Sequence, residues 1–215
     1  MKKRVSILAL LLAASGPLSA AEICATMGAT QFVDSEQYCV SSVLAPQAGN
    51  RYGPENLFDG DRSTAWCEGV QGTGAGQYIT LTINGAPQFS RLIFENGYGK
   101  SQAAYWENAR IRTVEVLTDT GIRVVGHLPD SPLESYIDLP RLLNHRQVRI
   151  TILDVYPGTR YSDTCLSALA ADFEAAEQMM NPMVPVMPRP YSPPTIVPAP
   201  GSVSTIEDLP DLPPN

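Results

Sequence analysis

The 215-residue sequence has few lysines, and beyond residues 2–4 it has no cluster of basic residues. Its lysines are Lys2, Lys3 and Lys100, and the other cations are arginines spread along the chain. If Lys2, Lys3 and Arg4 leave with an export signal, 12 of the 15 basic residues remain against 22 acidic ones, a net charge of −10. Proteins that hold a phosphate backbone need clustered cations. We therefore expect no nucleic-acid partner.

Histidine is as scarce as lysine. Only His127 and His145 occur, and no serine or cysteine nucleophile motif surrounds either of them. A carboxylate pair such as Asp59 and Asp61 could act as acid and base at a glycosidic bond, but no other feature of the sequence points to that reaction. We therefore expect a protein that is not an enzyme and that needs no cofactor.

The sequence has no apolar run long enough to span a membrane. The run from residue 5 to residue 14 is about half of the ~20 residues that a membrane helix needs, and Gly16-Pro17 follows it closely. With the basic residues before it and small residues after it, residues 1–21 resemble a secretory signal peptide; a retained anchor is the alternative. We expect an exported protein, secreted or periplasmic, with no transmembrane segment after signal removal.

Only four cysteines are present: Cys24, Cys39, Cys67 and Cys165. An even number in an exported chain indicates disulfides, and the short spacings of zinc ligands are missing. Four cysteines allow three pairings, of which we favour Cys24 with Cys39 and Cys67 with Cys165.

Proline is concentrated at the carboxyl end, where eleven of the 19 prolines lie between residues 181 and 215. Proline removes backbone donors and favours extended conformations, so residues 182–215 are predicted to be a disordered, solvated tail. The tail is either a docking arm or a segment without a function. The alanine-rich stretch before it favours a short helix or linker over residues 171–181. Residues 22–39 are interpreted as a lead-in to the folded domain.

Alternating hydrophobic residues predict several strands in the middle of the chain, within residues 78–83, 113–118, 122–125, 135–139 and 147–155. Turn residues separate the second and third of these, which predicts a hairpin. No long helix separates the strands, so antiparallel pairing is expected. Residues 40–170 are therefore predicted to form an all-β antiparallel sandwich or jelly roll.

The connections between these strands hold most of the aromatic and amide residues, in stretches 94–101, 105–112 and 155–165, which we interpret as irregular loops. Sugars bind by stacking on rings and by hydrogen bonding to planar polar groups. A further loop carries Asp59, Asp61 and Thr64, whose oxygens could bind calcium or could close the loop by hydrogen bonds.

Asp59-Gly60-Asp61-Arg62-Ser63-Thr64-Ala65-Trp66 resembles the D-G-D-x-x-T-x-W pattern of discoidin or coagulation-factor C-type domains, which have a galactose-binding-like jelly-roll fold. The strings A-W-C-E-G, N-G-Y-x-K, N-A-R-I and V-Y-x-G-x-x-Y-x-D-T-C-L-S resemble, more narrowly, the glycan-binding or translocation domain found beside secreted bacterial NAD glycohydrolases. This resemblance covers residues 40–169. It implies binding without catalysis.

The resemblance also implies that a set of ligand-binding residues gathers at one end of the sandwich, beside a Cys67–Cys165 clasp. The set is Trp66, Glu68, Asn96, Tyr98, Lys100, Asn108, Arg110, Tyr156, Arg160, Tyr161 and Asp163. Discoidin-type domains often complete a calcium site with a carboxylate in the last strand. Ala168 stands there in this sequence, so calcium at Asp59, Asp61 and Thr64 is only a hypothesis.

Two functions follow from these observations. In the first, the chain is an exported, non-catalytic binding module of the bacterial envelope that recognises a glycan or another cell-surface component through its loops. In the second, it is a periplasmic protein-interaction or assembly factor that uses the sandwich as scaffold and the proline-rich tail as docking arm.

Overall fold

The computed structural model describes residues 21–85 and 87–180 of the chain, so the predicted tail and all but the last residue of the predicted signal peptide lie outside the described part. The described elements are β1 (Ile23–Met27), β2 (Ser35–Val40), a 3₁₀ turn (Pro54–Leu57), β3 (Trp66–Cys67), β4 (Tyr78–Asn84), β5 (Phe89–Asn96), α1 (Gln102–Glu107), β6 (Ala109–Thr118), β7 (Arg123–His127), β8 (Ser135–Leu143), β9 (Gln147–Tyr156), β10 (Thr164–Ala171) and α2 (Phe173–Met180). No described helix is long and apolar enough to cross a membrane.

The strands pair in the order β1-β2-β4-β9-β6-β10-β5-β8, with β7 added to β6 and β3 added to β10. All of these pairs are antiparallel except β6 with β10, which are joined by a short parallel register of Thr164 with Ala109 and Cys165 with Arg110. The Tyr38 hydroxyl of β2 donates to the Leu169 carbonyl of β10 at 3.0 Å, although the two strands are not neighbours. The sheet therefore folds over into two layers in which β2 and β10 face each other, and the all-β sandwich is confirmed.

The core lies between the two layers and follows the alternation seen in the sequence. On β4, Ile79, Leu81 and Ile83 are buried, and on β9 the alternate residues from Val148 to Ile152 are buried beside them. The opposite layer contributes Leu92, Phe94, Leu166 and Leu169. The predicted hairpin is confirmed, since β6 and β7 pair in antiparallel register from Thr113–His127 to Leu117–Arg123.

The sheet begins earlier than the sequence suggested, because the lead-in 22–39 contains β1 and most of β2. Glu36 interrupts the hydrophobic alternation of β2. It is buried in the sandwich, and its Oε2 accepts a hydrogen bond from the Tyr38 hydroxyl at 3.3 Å. Burial raises the pKa of Glu36. A charged residue inside the sandwich gives no hydrophobic signal, so the sequence pattern misses this strand.

Both described helices differ in detail from the expectations. Residues 164–171 are alanine-rich, yet they form β10 because they pair with β5, and the helix starts only at Phe173, within the expected segment 171–181. The stretch 105–112 was interpreted as irregular, which is wrong. It contains the end of α1 and the start of β6, and α1 is short enough to escape a periodicity search.

Both favoured disulfide pairings are confirmed. Cys24 bonds to Cys39 across β1 and β2, and Cys67 bonds to Cys165 across β3 and β10, each pair directly opposite in its register. All four cysteines are used. Paired cysteines fit an oxidising compartment outside the cytoplasm.

The two disulfides close loops of different length, 15 residues for Cys24–Cys39 and 98 for Cys67–Cys165. The chain-entropy model assigns about 3 kcal/mol to the short loop and about 4 to 5 kcal/mol to the long one. The double replacement of Cys67 and Cys165 by alanine should therefore lower the free energy of unfolding more than the same replacement of Cys24 and Cys39. Urea denaturation of both variants measures this. An equal or reversed ranking would contradict it.

His145 is fully buried, between the β8 end and β9. Its Nδ1 lies 2.8 Å from the Thr120 hydroxyl, and its ring packs edge-on against Phe89 with a centroid separation of 5.0 Å. Burial lowers the pKa of His145 below its ordinary value of 6.5, because the charged imidazolium would lose water.

The lowered pKa of His145 makes stability depend on pH. Below pH ~6.5 the unfolded chain takes up a proton at this residue while the folded chain does not, so the contribution of His145 to the free energy of unfolding should fall as the pH drops from ~7 to ~5. The raised pKa values of Glu36 and Glu68 act in the opposite direction. His145→Gln should flatten this slope in denaturation series at several pH values. His127→Gln, at an exposed histidine, is the matched control and should keep it. A wild-type slope retained in His145→Gln would refute this account.

Candidate functional site

Arg110 organises the end of the sandwich at which the longer loops meet. Its Nε and Nη2 donate to the two Asp130 carboxylate oxygens at 3.0 and 2.8 Å, and its Nη1 donates to the carbonyls of Asn108 and Pro157 at 2.9 and 3.1 Å. The side chain is almost completely buried. One guanidinium therefore ties the start of β6 to two separate loops, which an arginine can do because its planar donors point in fixed directions.

Aromatic rings surround this guanidinium. The Arg110 Cζ lies 5.3 Å from the centre of the Tyr105 ring and 5.0 Å from that of Trp106. Burial and the Asp130 charge raise the pKa of Tyr105 to about 12, so its hydroxyl stays protonated and donates to Asp130 at 3.2 Å. Gly97, with φ +79°, passes so close that a Cβ there would lie 2.7 Å from both Arg110 and Tyr105.

Helix α1 fixes the loop that contains Arg160 and Tyr161. The carbonyls of Trp106 and Glu107 have no partner inside so short a helix. Backbone N–H groups of the loop satisfy them: Thr159 donates to Trp106 at 3.0 Å, and Arg160 and Tyr161 donate to Glu107 at 3.1 and 2.8 Å. The loop position is thus set by the helix end.

Glu68 holds the other side of the same region. It is buried, and its carboxylate accepts from the backbone N–H groups of Val70 at 2.8 Å and Thr164 at 3.2 Å. Burial raises its pKa. Since Thr164 lies between Asp163 and the disulfide-bonded Cys165, Glu68 and the disulfide together fix the start of β10.

These contacts leave an open cavity of about 220 Å³, here called the loop-end pocket. Its aromatic and polar lining is formed by Tyr52, Tyr98, Glu107, Asn108, Tyr161 and Asp163. The segment 44–50 supplies the opposite wall through Leu44, Gln47, Ala48 and Asn50. The volume is below the ~300–1,000 Å³ typical of pockets that enclose a drug-sized molecule, so a small or partly exposed ligand fits best.

The loop-end pocket is lined by hydrogen-bond acceptors and by three tyrosines, of which Tyr161 is the most exposed. Its two carboxylates belong to Glu107 and Asp163, and within the described residues Asp163 makes no ion pair. Tyr52 and Tyr98 pack edge-on at 6.2 Å beside the Cys67–Cys165 disulfide. Carboxylates and amides accept from hydroxyl groups, and rings pack on C–H faces, so the pocket has the chemistry that a sugar ring requires.

Four of the residues inferred from sequence meet in this pocket: Tyr98, Asn108, Tyr161 and Asp163. Lys100 lies at its edge, where the Nζ donates to Asn50 Oδ1 at 2.7 Å. Arg160 lies beside it and pairs with Glu107 at 3.7 Å. Their predicted convergence at one end of the sandwich agrees with this geometry, while their role in ligand binding stays a prediction.

Four other inferred residues are buried supports, and the expectation that they face a ligand requires correction. Trp66 is 0% exposed, and its Nε1 donates to the Ser42 carbonyl at 2.9 Å. Asn96 exchanges two hydrogen bonds with the Ile111 backbone, at 2.7 and 3.0 Å. Glu68 and Arg110 hold loops as described above. Their polar groups make hydrogen bonds within the protein, because polar groups that are sealed from water must be paired.

Tyr156 lies outside the loop-end pocket. Its hydroxyl donates to the Leu128 carbonyl at 3.0 Å, and the Arg112 guanidinium sits 5.7 Å from its ring centre. Its ring therefore braces β9 against the loop after β7.

Sequence reasoning missed several pocket residues. Tyr52, Asn50 and Glu107 line the cavity but were not selected. Trp106, and not Trp66, is the solvent-accessible tryptophan of this end, at 39% exposed. Trp106 gave no sequence signal, because its exposure depends on a short helix that directs it away from the buried Tyr105.

The loop that carries Asp59, Asp61 and Thr64 is closed by its own hydrogen bonds. Asp59 accepts from the Asp61 backbone at 2.8 Å and from the Thr64 hydroxyl at 2.7 Å, and Asp61 accepts from the Ser63 backbone at 2.8 Å. Hydrogen bonds from the Ser63 side chain and backbone lower the pKa of Asp61. The alternative of a hydrogen-bonded loop accounts for this geometry, and calcium binding stays a prediction.

Comparison with known proteins gives one family. The sequence model described as "NAD glycohydrolase translocation F5/8 type C domain" matches residues 31–172. No curated protein matches the chain.

Several solved structures are similar in shape. CpGH89CBM32-5 from Clostridium perfringens, in complex with GalNAc-β-1,3-galactose, is 18% identical over 63% of this chain and 94% of its own, with a TM-score of 0.47. The family 32 CBM of C. perfringens NanJ, in complex with galactose, is 14% identical over 63% and 92%, also at 0.47. The arabinofuranosyltransferase AftD from Mycobacteria is 17% identical over 72% of this chain and 12% of its own, at 0.48.

The structural role of Arg110 predicts a large stability difference between two arginines of one strand. Arg110→Lys keeps the charge but loses the paired bonds to Asp130, which should lower the free energy of unfolding by about 2–3 kcal/mol. Arg112→Lys, at an exposed ion pair with Asp154, is the matched control and should change little. Urea denaturation compares them. Equal effects would show that Arg110 is not the organising residue.

Proposed function

Because the chain belongs to the family of NAD glycohydrolase translocation F5/8 type C domains, we propose that it is an exported, non-catalytic module of the bacterial envelope that binds a glycan in the loop-end pocket. The single observation that carries this proposal is the meeting of Tyr98, Asn108, Tyr161 and Asp163 at one open cavity. They come from three separate parts of the chain, so the fold and not the sequence order assembles them.

The composition of the pocket supports a sugar over other small ligands. Tyr161 is 40% exposed and gives a ring on which a C–H face can stack. Asp163 and Glu107 offer acceptors for hydroxyl groups, and Asn108 offers an amide while its Nδ2 donates to the Ala104 carbonyl at 2.8 Å. Few contacts in an open pocket give weak binding, so a dissociation constant near 1 mM is expected, about 4 kcal/mol.

The proposal of binding without catalysis rests on the family match, and the loop-end pocket has neither an imidazole base nor a thiol nucleophile among its lining residues. Neither His127 nor His145 lines the loop-end pocket, and all four cysteines are in disulfides. The disulfides and the signal-like residues 1–21 support a location outside the cytoplasm.

Alanine variants of two exposed tyrosines test the proposal. The mature protein is titrated with a panel of neutral and acidic mono- and oligosaccharides, and binding is followed by amide chemical shifts. Tyr161→Ala should weaken the best-binding saccharide by about tenfold, because stacking on the ring is lost. Tyr136→Ala is the matched control, since Tyr136 is 48% exposed on β8 and lines no part of the pocket.

Two results would overturn the proposal. One is that no saccharide of the panel shifts any amide of the loop-end pocket. The other is that Tyr136→Ala weakens binding as much as Tyr161→Ala does, which would place the ligand elsewhere.

A further inference from the structure

A second cavity adjoins the loop-end pocket. It has a volume of about 270 Å³, and residues 157–162 form most of its wall, completed by Thr73 and Ala109. The backbone bonds that join Thr159, Arg160 and Tyr161 to the end of α1 hold this wall in place. It is therefore a built cavity, fixed by the same contacts as the first.

Tyr161 belongs to both cavities. Because one residue lines both, the two cavities are neighbours, and a ligand larger than one sugar ring in the loop-end pocket can extend toward the second cavity. The Tyr161 ring is 40% exposed and offers an apolar surface on which a sugar ring can stack.

The two cavities differ in charge. Glu107 and Asp163 line the loop-end pocket, and no cation belongs to its lining. The second cavity has one charged side chain, Arg160, together with hydroxyl groups of Thr73, Thr159 and Ser162. A negatively charged ring is disfavoured in the first cavity by like charge and favoured in the second.

Arg160 is free enough to contact a ligand. Its side chain is 64% exposed, and its ion pair with Glu107 is 3.7 Å long. Exposed pairs of this kind contribute little to stability, so a ligand carboxylate can replace Glu107 at small cost. The guanidinium lies 5.0 Å from the centre of the Tyr161 ring, which keeps it at the boundary between the cavities.

We propose that this second cavity is an acidic-sugar subsite, and that the ligand is an oligosaccharide with an uncharged ring in the loop-end pocket and a neighbouring ring whose carboxylate binds Arg160. This inference rests on the proposed glycan-binding function and narrows it. A guanidinium recognises a carboxylate through paired N–H donors, so the second ring supplies both orientation and charge selectivity.

Matched saccharide pairs test the subsite. The ¹⁵N-labelled mature protein is titrated with cellobiose and cellobiouronic acid, which differ only in the carboxylate, and with lactose and 3′-sialyllactose, of which the acidic member has one additional ring. In at least one pair the acidic member should bind about three- to tenfold more tightly, and it should shift amides of both cavities, residues 158–162 included. The advantage should shrink in 0.5 M salt, because an exposed charge pair is screened.

Arginine variants assign the effect. Arg160→Gln should bring the affinity for the acidic saccharide down to that for its neutral counterpart. Arg123→Gln is the matched control, since Arg123 is 67% exposed and also pairs with a glutamate, Glu115. It should leave the acidic preference intact.

The outcomes separate the two proposals. If saccharides bind but shift only the loop-end pocket, or if Arg160→Gln keeps the acidic preference, the second subsite is wrong and the glycan-binding function stands. If no saccharide shifts either cavity, both proposals are wrong.

Discussion

The ion pair of Arg110 with Asp130 is the interaction on which the candidate site depends. A sandwich places its loops at the ends of its layers but does not determine where each loop points. Here one buried guanidinium reaches Asp130, Asn108 and Pro157 at once, and the rings of Tyr105 and Trp106 enclose it. The loops that form both cavities are therefore positioned by the hydrogen bonds that a charge removed from water requires.

Two further constraints act beside this ion pair. The Cys67–Cys165 disulfide joins strands 98 residues apart in sequence and lies under the tyrosines of the loop-end pocket. The last carbonyls of α1 accept hydrogen bonds from the backbone N–H groups of the Arg160 loop. That loop is therefore held in place without secondary structure of its own. A covalent bond, a charge and a helix end thus hold three chain segments around one pocket, and the exposed side chains remain available for a ligand.

The sequence predicted the features that repeat locally and missed those that arise from long-range contacts. The alternation of Ile79, Leu81 and Ile83 predicted β4 directly, and the D-G-D-x-x-T-x-W pattern indicated the fold. The sequence alone could not show whether the Trp66 ring is buried or is exposed for stacking, because its burial depends on residues that are distant in sequence. The family resemblance placed Arg110 among the ligand-binding residues, but the carboxylate that pairs with it, that of Asp130, lies 20 residues away in sequence.

Arg110 holds the Arg160 loop near α1 through its hydrogen bond to the Pro157 carbonyl and its contacts with the rings of Tyr105 and Trp106. Hydrogen exchange of the Thr159, Arg160 and Tyr161 amides tests it most directly, in the wild type and in Arg110→Lys. Arg110→Lys should speed exchange of the three loop amides by a larger factor than exchange of the β4 amides, which respond only to the loss of global stability. Unchanged protection of the three loop amides in Arg110→Lys would contradict the claim.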